Sequence, residues 1–62
     1  MAMTAARIEI TTAALECHVA KRDALATALR STHCLHERSQ LLLQHAEACR
    51  CVGIFEAELA KA

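Results

Sequence analysis

Ala28-Leu29-Arg30-Ser31-Thr32-His33-Cys34-Leu35 is the stretch that decides between one long helix and two short ones. On either side of it the chain contains no proline and only one glycine, Gly53, while alanine, leucine, glutamate and arginine fill most positions. Nothing there breaks a helix, and no run alternates in the manner of a strand. Within the stretch, Arg30 suits the carbonyl end of a helix through its charge, and Ser31 or Thr32 offers a hydroxyl to begin the next. The expectation is an all-α chain of a single domain, residues 1–62: a helix over about 4–30, a turn over 31–33 and a helix over 34–60. The rival is one continuous helix in a long coiled coil.

Working outward, the first half separates two faces when projected at about 100° per residue. Ile8, Leu15, Val19, Ala26 and Leu29 share one with Thr12; Ala13, Cys17, Ala20, Ala24 and Ala28 share the other. The second half carries a broad apolar arc of Cys34, Leu35, Leu41, Leu42, His45, Cys49, Val52, Phe55 and Leu59. Two helices packed as a hairpin leave part of this apolar surface uncovered. A chain of 62 residues buries only about 60% of its extended surface and is marginal alone. The antiparallel hairpin is therefore expected to dimerise into a four-helix bundle, its core drawn from Ile8, Leu15, Val19, Leu29, Leu35, Leu42, Val52, Phe55 and Leu59. Leu43 and Ile54 lie on the polar side with Arg50, where they form a candidate patch for a partner protein.

Seven basic residues balance seven acidic ones, so the chain has no long-range field to recruit nucleic acid or an anionic membrane. The start, Met1 to Glu9, lacks a basic segment followed by an apolar run, and no stretch approaches the ~20 apolar residues of a membrane span. A cytoplasmic chain is expected, with its four cysteines as thiols. Cys49 and Cys51 point about 200° apart on a helix and cannot bridge.

His45 and Cys49 form the sharpest chemical pair. Four residues apart, they project from one helix face at the spacing of helical zinc ligands. A hairpin turning near residue 32 brings Cys17 and His18 close to residues 47 and 46, so Cys17, His18, His45 and Cys49 are a candidate metal or thiol-redox set. Cys17 and His18 are adjacent and diverge by about 100°, which keeps both from serving one ion. The cysteines then read as small core residues, and no metal or cofactor is expected. A Cys–His nucleophile also requires an oxyanion-binding loop, which a hairpin without glycine-rich turns lacks, so no enzyme activity is expected.

The segment His45-Ala46-Glu47-Ala48-Cys49-Arg50-Cys51 resembles a stretch of the second helix of Rop, the RNA-binding protein that dimerises as two helical hairpins. The resemblance covers seven residues and implies an RNA-binding dimer as a further alternative. Rop-type binding uses basic, amide and aromatic side chains along the first helix; here no amide or aromatic residue precedes Gln40. The preferred reading is a non-enzymatic, self-associating hairpin that binds another protein, in the manner of small regulators, inhibitors and co-chaperones. Arg22, Arg38 and Glu56, set among the apolar positions, are expected to snorkel or to fix the register of the assembly.

Overall fold

The computed structural model describes residues 3–62; Met1 and Ala2, where the comparison with an export signal began, lie outside the described residues. Two helices, α1 (Ala5–Ser31) and α2 (Leu35–Ala60), pack against each other as a hairpin. Each helix starts and ends within one residue of the expected bounds, and the continuous rod is excluded.

The caps show why the chain turns where it does. Thr4 accepts the backbone N–H of Arg7 at 3.2 Å, which supplies a partner for one of the free donors of the first turn. At the other end of α1 the expectation is corrected: Ser31 and Thr32 cap the helix they close and not the helix that follows. Thr32 Oγ1 donates to the Ala28 carbonyl at 2.7 Å and Ser31 Oγ to the same oxygen at 3.3 Å. A hydroxyl serves either end of a helix, and here the unpaired carbonyls of α1 are nearer.

Arg38 completes that cap from across the turn. Its Nη1 donates to the Leu29 carbonyl and to the Thr32 carbonyl, the latter at 3.3 Å. The sequence places Arg38 among apolar residues, and its half-buried guanidinium closes the carbonyl end of the opposite helix. Thr32 and Cys34 take extended conformations, and no described residue has a positive φ. The turn thus reverses the chain without glycine. Cys34 precedes α2 without a side-chain cap, and Glu37 in the first turn complements the helix dipole.

Between the helices the buried residues are Thr11, Leu25, Ala48 and Val52, with Ala48 and Val52 only 2% and 3% exposed. Apart from Leu25 these are small or β-branched side chains; Ile8, Leu15, Val19, Leu29, Leu41, Phe55 and Leu59 lie half-buried beside them. The molecule is a rod of 46 × 15 × 12 Å with a radius of gyration of 14.3 Å. A compact chain of this length would have a radius near 10.6 Å.

Candidate interaction surface and the His45–Cys49 pair

Two of the residues expected at an oligomer core lie largely in the open. Leu35 is 81% exposed and Leu42 is 51% exposed, so the hairpin by itself does not bury them. The helix geometry gives the reason. At about 100° per residue, Leu35, Leu42, Cys49 and Gly53 project from α2 roughly 100° away from the direction of Ala48 and Val52. On α1, Ile8, Val19 and Ala26 are turned about 80–100° from the direction of the buried Thr11 and Leu25. Viewed down the hairpin, antiparallel right-handed helices progress in opposite rotational senses, so both displacements bring the side chains to the same side. One flank of the hairpin therefore presents an apolar face drawn from both helices.

Gly53 lies on this flank, and a Cβ added there would meet nothing within 4 Å. Its backbone has no positive φ. Neither conformation nor packing within the hairpin requires glycine at a mid-helix position where it costs about 1 kcal/mol relative to alanine. Arg38 and Glu56 border the same face, one near each end of α2.

The patch of Leu43, Arg50 and Ile54 lies elsewhere. Leu43, Glu47, Arg50 and Ile54 follow one another at intervals of three or four residues and form a column on the outer side of α2. Arg50 Nη2 pairs with Glu47 Oε1 at 2.9 Å, and both side chains are exposed, so the pair contributes little to stability. Leu43 and Ile54 flank that ion pair and are exposed as well. Ile10 is a separate exposed aliphatic residue on α1.

His45 and Cys49 come together as their spacing predicts. Cys49 Sγ lies 3.7 Å from His45 Nδ1 and 4.0 Å from Nε2. Cys49 is exposed and His45 half-buried. Cys17 and His18 do not join this pair as a set of metal ligands. His18 Nδ1 donates to the Ala14 carbonyl at 2.8 Å, and its ring meets Phe55 with centroids 5.2 Å apart at 53°. Side chains on a helix lean toward its N-terminus. In an antiparallel pair His18 consequently leans away from the turn while Phe55 leans toward it, and the two meet between their backbone levels. The connection is centred on His33, one residue later than expected, which sets Cys17 level with Cys49, but Cys17 projects about 100° away from His18, the residue that faces α2. Cys17 is exposed, and all four cysteines are free thiols. Among the described residues no group of three or more His, Cys, Asp or Glu side chains is placed to hold a metal ion. Among them, too, no helix is long and apolar enough to cross a membrane.

No protein-family model, curated protein or solved structure matches the chain.

Proposed function

We propose that the protein is a non-enzymatic, self-associating helical hairpin in which two copies pair through this apolar flank as a four-helix bundle and leave the outer side of α2 free to bind another protein. The observation that carries the reading is the uncovered area. The chain exposes 4649 Å², whereas a compact chain of 6.7 kDa exposes about 3,900 Å². The excess of about 700 Å² is close to the ~800 Å² that each partner contributes to a standard interface.

The pattern along α2 favours a second copy as the occupant. In a two-fold dimer with α2 running antiparallel to its mate, each residue faces the one equally far on the other side of the midpoint. Around Glu47, to within half a residue, Leu42 then faces Gly53, Leu35 faces Ala60, and Arg38 stands level with Glu56. Each exposed leucine meets a residue with little or no side chain. Arg38 of each copy meets the opposite charge of Glu56. The balance of seven basic and seven acidic residues adds no net repulsion between copies.

Leu43, Arg50 and Ile54 point away from this face and are the proposed contact with a different protein. Apolar anchors beside an arginine are the composition that such contacts favour. The test is Leu42→Lys, which alters a residue exposed in the single hairpin. Retained helicity by circular dichroism with loss of the dimer in sedimentation is the expected outcome. A Leu42→Lys protein that still dimerises with unchanged affinity refutes the assigned face.

A further inference from the structure

We infer that the paired hairpins hold one zinc ion at their two-fold axis, bound by His45 and Cys49 of one copy and the same two residues of its mate. The inference rests on the self-association proposed above. Within one chain the two side chains are close enough to share an ion once the imidazole turns about its Cβ–Cγ bond. Tetrahedral zinc with Zn–S near 2.3 Å and Zn–N near 2.0–2.1 Å separates its sulfur and nitrogen ligands by about 3.6 Å. Cys49 Sγ lies 3.7 Å from His45 Nδ1 and 4.0 Å from Nε2, so a turn of the ring is what aims one nitrogen at the shared ion.

The position of the pair supplies the other half of the site. His45 and Cys49 are equidistant from Glu47, the residue on which the complementary α2 pairing is centred. A two-fold axis there sets His45 level with Cys49 of the mate. Because the axis is perpendicular to the helices, both pairs fall on the same flank of the α2–α2 contact. At about 100° per residue, His45 projects between the direction of α1 and the direction of the second copy, toward the middle of a square bundle.

Neither side chain is committed elsewhere: the only hydrogen-bond-range partner of each among the described residues is the other. Two ligands alone leave half of a tetrahedral shell to solvent, whereas four close it in the Cys2His2 composition of structural zinc sites. Thiolate with imidazole selects zinc over magnesium or calcium. On binding, each Cys49 thiol releases its proton to solvent as its sulfur bonds to the metal, and His45 binds through a neutral ring nitrogen.

The test adds zinc chloride, and separately cobalt chloride, to the reduced full-length chain, followed by native mass spectrometry and sedimentation equilibrium. The expected result is one metal ion per two chains, a dimer at least tenfold tighter with zinc, and visible absorption of tetrahedral cobalt with thiolate ligands. Cys49→Ala and His45→Gln should each abolish uptake while the helical spectrum persists, and Cys17→Ala should leave uptake intact. A dimer that takes up no zinc overturns this inference and leaves the self-association standing. A chain that stays single with and without zinc overturns both. One ion per chain, or uptake retained in Cys49→Ala, overturns the shared site alone.

Discussion

Replacing Gly53 with leucine pulls the two levels of organisation in opposite directions. Within one hairpin the position is exposed, and an added Cβ has nothing within 4 Å. Leucine in place of glycine at mid-helix therefore contributes about 0.7 kcal/mol through backbone entropy and helix propensity. For a domain of this size, ~1 kcal/mol moves the melting temperature by about 4–8 °C, so the single hairpin should melt roughly 3–6 °C higher. In the paired state the same side chain occupies the space proposed for Leu42 of the mate. Overfilling a packed contact costs about 1–3 kcal/mol, and two-fold symmetry doubles it to about 2–6 kcal/mol. At ~1.4 kcal/mol per tenfold, the dimer should weaken by about 30-fold to 20,000-fold. Gly53→Ala provides the control, with a similar gain in helix stability and a smaller clash. Melting by circular dichroism at low concentration reads the first effect and sedimentation velocity reads the second. A Gly53→Leu protein that dimerises as tightly as the parent refutes the placement of Leu42 against Gly53.

Other substitutions report on the hairpin itself. Val52→Ala removes two methylenes' worth of buried volume at ~0.8 kcal/mol each and leaves a cavity, so a loss of about 2 kcal/mol is expected in thermal or denaturant unfolding. Arg38→Met removes the guanidinium that bonds the Leu29 and Thr32 carbonyls; a loss of about 1–3 kcal/mol is expected, and hydrogen exchange should quicken selectively at the end of α1. Arg50→Ala breaks only an exposed ion pair, so stability should change by less than about 1 kcal/mol, while capture of the partner by the Leu43–Ile54 patch should fall.

The division into two helices was legible because proline and interior glycine are missing apart from Gly53, and because Arg30, Ser31 and Thr32 mark the turn. The direction of the caps was not. A hydroxyl either accepts an N–H at a helix start or donates to a carbonyl at a helix end, and only the three-dimensional turn decides that Ser31 and Thr32 do the latter. The centre of the interhelical contact was also displaced. Projection of the apolar residues points to Ile8 and Val19, whereas the buried positions between the helices are Thr11, Leu25, Ala48 and Val52, of which Val52 alone belongs to the expected core. The His45–Cys49 pair could be read from its spacing because both residues lie on one helix. The meeting of His18 with Phe55 depends on register and on the lean of each side chain, neither of which the sequence displays.

The claim that one hairpin is half of a symmetric assembly is tested most directly by sedimentation equilibrium of the unmodified, reduced chain at micromolar concentration. A species of twice the 6.7 kDa chain mass with a helical spectrum is expected. A stable, fully helical species at the mass of a single chain would contradict it.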